Sequence, residues 1–135
     1  IFVMFATSAT PVALMAMDDD PSFTLLVFAW TGATVGVVLE HLPFHPPRGL
    51  VNTIFLAFGA GFLLFLPWLI DGLSGPQLWL LLGGALPYVI GALIVGSQWP
   101  DPWTDVFGYH EIWHVMVVLS AGLHYWLAME LTGVV

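Results

Sequence analysis

The sequence predicts an all-α fold, a polytopic transmembrane bundle of five helices, and three observations predict it. Hydrophobic residues fill 59% of the 135 positions and charged residues only 7%, whereas a soluble domain carries about a quarter charged residues. Long apolar runs recur along the whole chain, broken only by short clusters of Pro, Gly and Asp, the pattern of helices that satisfy their own backbone hydrogen bonds in hydrocarbon. The runs also lack the polar and apolar alternation that strands of a membrane barrel need.

Taken in order, helices are expected over Ile1 to Met17, Ser22 to Leu42, Leu50 to Ile70, Pro76 to Ser97 and Tyr109 to about Thr132. The first run would span about 25 Å against a hydrocarbon core of about 30 Å. With no initiator Met and no basic flank or cleavage site of a signal peptide, it reads as a helix whose beginning lies upstream of Ile1. An Asp18 to Pro21 turn separates it from the second run, and Pro43, Pro46 and Pro47 end that one, because proline has no amide proton to donate. The third and fourth runs meet at the Asp71 to Gly75 turn, and the fourth and fifth at the Gln98 to Gly108 loop with Pro100 and Pro102. Pro11, Pro67 and Pro87 fall inside runs and are expected to kink them. Short connections make successive helices antiparallel, so residues 1–135 form one transmembrane domain.

Eight of the nine acidic residues behind the net charge of -8 sit at the run ends: Asp18, Asp19, Asp20, Glu40, Asp71, Asp101, Asp105 and Glu130. A single basic residue, Arg48, leaves no electrostatic footprint for nucleic acid. The bias of basic residues toward the cytoplasm places the Arg48 loop inside and, by alternation, the C-terminus outside. Trp68, Trp79, Trp99, Trp103 and Trp126 lie near run ends, where amphipathic rings anchor at the interface. Gly32, Gly36, Gly59, Gly61, Gly83, Gly84 and Gly91 offer close backbone approach between helices, a packing role. With no cysteine, disulfides, thiolate zinc sites and iron–sulfur clusters drop out, and any metal must use His, carboxylate or water.

The fifth run opens Tyr109-His110-Glu111-Ile112-Trp113-His114. His110 and His114 share one helical face, their Cβ atoms about 5–6 Å apart, a spacing that suits one zinc ion with other ligands drawn from other helices. The competing reading is that both are polar links between helices. Ionisable groups in a membrane segment are costly and face a cavity or a partner, which favours a functional role. The same residues match the H-E-x-x-H of zinc proteases, with the Glu as general base. The downstream acid Glu130 lies about 24 Å away along a continuous helix, and the Asp71-Gly72 pair falls earlier, at a turn, so the intramembrane protease reading is the weaker one. His124, about 15 Å beyond His114, is expected to bond a neighbouring helix. His41 and His45 also stand four apart, but Pro43, Pro46 and Pro47 place them in a solvated loop.

The stretch ALPYVIGALIVGSQWPDPWTDVFGYHEIWHVMVVLSAGLHYW resembles the last two helices and intervening loop of the haemolysin III family, the bacterial branch of the progestin and adipoQ receptor superfamily. The opening IFVMFATSATPVALM, with its Thr-Pro pattern around Thr7 to Pro11, is similar to that family's third helix. The resemblance implies helices three to seven of a seven-helix fold, with the C-terminus on the outer side of a bacterial plasma membrane. It also implies that His110 and His114 are two zinc ligands, that a third histidine and a nearby Asp precede Ile1, and that Glu111 has no assigned role in the site. In the receptor branch the zinc serves lipid amide hydrolysis. The implied function is therefore a zinc-dependent hydrolase of lipid amides or esters in membrane-lipid homeostasis, with membrane lipids as its partners. The alternative is a non-catalytic sensor of bilayer state, or an accessory subunit packed against neighbouring membrane subunits, in which the histidines are structural.

Overall fold

A computed structural model describes residues 1–41, 43, 49–103 and 105–134. Five helical segments run along the chain: α1 (Phe2–Ala16), α2 (Asp19–His41), α3 (Leu50–Gly72), α4 (Gly75–Ser97) and α5 (Tyr109–Leu131). The last four are each 23 residues of high hydropathy, long and apolar enough to cross a membrane, and α1 is a shorter apolar helix of 15 residues. The all-α bundle expected from the sequence is what forms.

Two boundaries differ from expectation in an instructive way. The Asp18 to Pro21 segment is not a turn: α2 already begins at Asp19, and Ser22 N–H donates to Asp18 O at 3.0 Å. Proline is tolerated in a first helical turn, where its missing N–H has no intrahelical partner to lose, and Asp19 and Asp20 complement the positive end of the helix. Within α3, residues Phe62–Phe65 tighten into a 3-10 turn immediately ahead of Pro67. The proline ring obstructs the regular i to i−4 bond, which accounts for the local change of helix type. Pro11 and Pro87 lie inside α1 and α4 without ending them.

The exterior is apolar. Phe23, Leu64, Trp79 and Val118 are among many large hydrophobic side chains left exposed, an arrangement that water would penalise and lipid would not. Helix polar groups are satisfied locally: the hydroxyls of Ser8, Thr10, Thr24 and Thr34 each donate to a carbonyl four residues back, which removes a donor from contact with hydrocarbon. Trp30 Nε1 crosses from α2 to donate to Thr10 Oγ1 on α1 at 3.2 Å. The tryptophans singled out at run ends, Trp68, Trp79, Trp99, Trp103 and Trp126, are all exposed.

Packing depends on glycines that admit rings. A Cβ at Gly32 would collide with Phe58, at Gly36 with Phe2, at Gly61 with Phe28, at Gly84 with His124 and at Gly91 with Trp113. These contacts join α1 to α2, α2 to α3 and α4 to α5, and one core around Phe2, Ala33, Phe55, Phe58, Tyr88 and Trp113 draws on all five helices. Gly59 and Gly83 were expected to serve the same purpose and do not, since nothing lies within 4 Å of a Cβ built on either.

The register places the candidate site. Phe2 and Ala6 share a cluster with Trp113 and Val117, while Val12, Ala13 and Ala16 share another with Leu127. Thus α1 and α5 run parallel, and α1 begins level with the first turns of α5. Arg48, on which the orientation argument rests, lies outside the described residues, as does His45. His41 ends α2, exposed, its Nδ1–H donating to Val37 O at 2.9 Å.

Candidate functional site

The loop before α5 is tied down at several points. Trp103 and Phe107 pair their backbones, with Phe107 N–H donating to Trp103 O at 2.9 Å and Trp103 N–H to Phe107 O at 3.2 Å. Gln98 Nε2 donates to Tyr109 Oη at 3.3 Å, linking the end of α4 to the start of α5. Gly108 is buried, and a Cβ there would run into the Asp101 carboxylate. A side chain there would have to displace the Asp101 carboxylate, and glycine admits this close approach. Glu111 reaches back one turn, its Oε2 accepting the Gly108 N–H at 2.9 Å. That is the reciprocal half of a capping box, and it satisfies one of the donors a helix start leaves without a partner.

His110 and His114 emerge from this braced first turn, both exposed. Their rings stand nearly perpendicular with centroids 4.8 Å apart, and the two Nε2 atoms approach to 3.2 Å. The i, i+4 spacing thus brings both imidazoles to a single point, as the sequence predicted. Further along α5, Ala121, Tyr125 and Ala128 line the groove against Thr7 and Pro11 of α1. By helical period His110 and His114 fall on this same stripe, about three and two turns before Ala121 and beside the start of α1. Among the described residues no group of three His, Asp or Glu side chains is placed to hold a metal ion.

Glu111 does not share the histidines' convergence. Its carboxylate is engaged at the helix start by Gly108, so the orientation a metalloprotease general base would need is not the one adopted. His124 behaves as expected of a helix link: it is buried, and its Nε2–H donates to Leu81 O on α4 at 3.1 Å. It also borders an apolar cavity of about 110 Å³ whose walls include Phe5, Ser8, Val12, Leu66 and Ala85.

A family model described as haemolysin-III related matches residues 1–125. The chain belongs to the haemolysin III family. Among curated proteins it is similar to the hemolysin-3 homolog of Bacillus subtilis (strain 168), with 29% identity over 120 residues, covering 87% of this chain and 53% of that protein. The chain spans about half the length of the curated relative it matches. No solved structure matches it. Together with the four spanning helices, membership of the haemolysin III family makes this an integral membrane protein in contact with lipid.

Three features of this haemolysin III chain escaped the sequence reading. Asp101 is exposed, as expected of an end charge, and its carboxylate also lies against Gly108. Tyr88 and Ser120 are buried with hydroxyls that find no partner among the described residues. Their signal was present, since each interrupts an apolar stretch, but nothing in the spacing tells a buried polar side chain from a lipid-facing one.

Proposed function

We propose that this chain is part of a zinc-dependent membrane hydrolase of lipid amides or esters, with His110 and His114 as two of the zinc ligands. The observation that carries the reading is the 3.2 Å approach of the two Nε2 atoms. Ligand nitrogens about 2.0–2.1 Å from a tetrahedral zinc lie about 3.3 Å from each other, so the rings already stand at the separation that one cation requires. Their position at the edge of the bundle, beside the start of α1, leaves room for a further ligand from a segment outside this chain. Matching half of the Bacillus relative is in keeping with such a segment.

When bound, zinc polarises a carbonyl and brings the pKa of a water to near neutrality. This chain's own part is to hold the ion and orient it: the Gly108 to Glu111 cap and the Gln98 to Tyr109 bond fix the turn from which both imidazoles project. The reading places the site near the inner face of a bacterial plasma membrane with the C-terminus outward, on the strength of the single basic residue in the α2–α3 connection.

A second reading also has an observation in its favour. At 3.2 Å one imidazole N–H can donate to the other's ring nitrogen, so the pair can satisfy itself in a non-catalytic sensor or an accessory subunit. Metal analysis of the full-length protein separates the two. The hydrolase reading expects stoichiometric zinc and cleavage of a ceramide or acyl-ester probe in vesicles, both lost in the His110→Ala/His114→Ala variant. Zinc retained after both substitutions overturns it.

A further inference from the structure

The connections between helices treat their apolar side chains in opposite ways. Between α3 and α4, Leu73 is only 8% exposed, and Met17, between α1 and α2, is half-buried. Between α4 and α5 the reverse holds. Trp99 is 73% exposed, Trp103 66% and Val106 80%, the highest value for a large hydrophobic side chain among the described residues. All three lie beyond the helix ends, on the segment that leads into the first turn of α5.

The backbone holds them there. Trp103 N–H donates to Phe107 O, and the N–H groups of Val106 and Phe107 both donate to Trp103 O, which closes a tight turn. Ser97 Oγ donates to Trp99 O at 3.2 Å where the chain leaves α4, and Gln98 Nε2 ties the same end to Tyr109 of α5. The Trp103 ring lies beside that of Phe107, centroids 6.3 Å apart, and is still largely uncovered. A connection fastened at both ends and across its middle cannot turn these side chains inward without giving up those bonds.

What covers them follows from what adjoins them. Ile90 and Leu93 on α4 and Val115 and Val118 on α5 are exposed on helices that cross the membrane, so the surface on both sides of the connection is already a lipid contact. The connection carries that apolar exterior past the helix ends. Indole suits such a boundary, with an apolar body and an N–H for the wet side. Valine has no polar handle and needs the hydrocarbon edge itself. Asp101 and Asp105 are exposed in the same segment and residues 98–108 contain no Lys or Arg, so anionic headgroups supply no attraction and apolar contact must.

We propose that the α4–α5 connection is an interfacial anchor, seated in the headgroup and upper acyl layer of the leaflet at the His110 end of the bundle, with Trp99, Trp103 and Val106 entering it. The Gln98 to Tyr109 bond and the Gly108 to Glu111 cap join the anchor to the first turn of α5, so it also fixes the depth of His110 and His114. The anchor depends on the spanning helices and not on the zinc reading, and either can fail without the other.

The depth of Val106 tests it. Residues 1–135 contain no cysteine, so Val106→Cys, made in full-length protein with any other cysteine changed to serine, takes a single environment-sensitive fluorophore at a side chain that touches little of the protein. In phosphatidylcholine nanodiscs the probe is expected about 5–10 Å into the headgroup and acyl boundary, the depth to which other interfacial apolar faces sink. Lipids spin-labelled high on the acyl chain should quench it strongly, lipids labelled at the chain end weakly, and aqueous iodide little. Full quenching by iodide with none from lipid places the loop in water and overturns the proposal. Shielding from both quenchers means that a protein covers it, and overturns the proposal equally. A second measurement needs no substitution: phosphatidylcholine carrying a diazirine high on its acyl chain should, on illumination, crosslink to residues 98–108 of the native full-length protein, and a segment free of crosslink overturns the anchor.

Discussion

His114 and His124 ride on the same helix ten residues apart and have opposite surroundings. The first is exposed and meets another histidine nitrogen to nitrogen; the second is buried, donates to a backbone carbonyl of α4 and packs on a glycine cut away to admit it. An imidazole within a membrane span has to find a partner. What the partner is decides the role. A carbonyl uses up the ring's donor and makes His124 a link between helices. A second imidazole offers a further nitrogen, so the pair holds two ring nitrogens side by side. The contrast shows that two histidines on one helix can differ in both burial and partner.

The largest expected effect tests that contrast directly. Zinc affinity of the full-length protein should fall at least about 100-fold in His110→Ala/His114→Ala, because each first ligand lost weakens a site more than a lost outer partner, itself worth about 10- to 100-fold. His124→Ala should leave zinc stoichiometry unchanged. Zinc lost equally in both variants would erase the distinction between the two ends of α5, and it can be read by elemental analysis after gel filtration.

Next in size is a change on the other side of the buried contact. Gly84→Val places a branched side chain where the His124 ring now lies, with the helix backbones already close. Overpacking of this kind costs about 1–3 kcal/mol, so thermal unfolding in detergent should shift down by several degrees. The matching change Gly83→Val, at a position with open space beside it, should shift the midpoint little. Equal effects at the two glycines would mean that α4 and α5 do not pack in the register described.

Much of this was legible in the sequence, for a physical reason. Hydropathy is a property of the run, so five helices and their order could be read from composition, and i, i+4 spacing is a property of the helix, so the meeting of His110 and His114 followed from counting. The first turn of α2 was misread because Pro21 and three aspartates mark either a loop or a helix start, and only the bond from Ser22 to Asp18 separates these. Gly59 and Gly83 were misread because a glycine shows that close approach is allowed, not that a neighbour makes use of it. The commitment of Glu111 to Gly108 was likewise hidden: H-E-x-x-H names residue types, whereas the direction of the carboxylate depends on where the helix begins.

A smaller effect comes from the link itself. His124→Leu removes the bond to Leu81 O while keeping an apolar side chain against Gly84. Interhelical hydrogen bonds in membranes are worth about 0.6 kcal/mol on average and rarely above about 1.7, so the unfolding midpoint should fall by a few degrees at most. A loss as large as that of Gly84→Val would show that His124 anchors more than one carbonyl.

The smallest effect concerns the residue between the two histidines. Glu111→Gln keeps an acceptor able to receive the Gly108 N–H but removes the charge, so the cap should weaken without being lost. Amide exchange at Gly108 is expected to rise about threefold, the loss of a fraction of one hydrogen bond, with zinc content and probe hydrolysis both maintained. The protease reading of the same motif expects the reverse, because a general base has no neutral substitute: hydrolysis would collapse while the Gly108 amide stayed protected. Measured together on one variant, exchange at Gly108 and turnover decide whether Glu111 serves the helix or the chemistry.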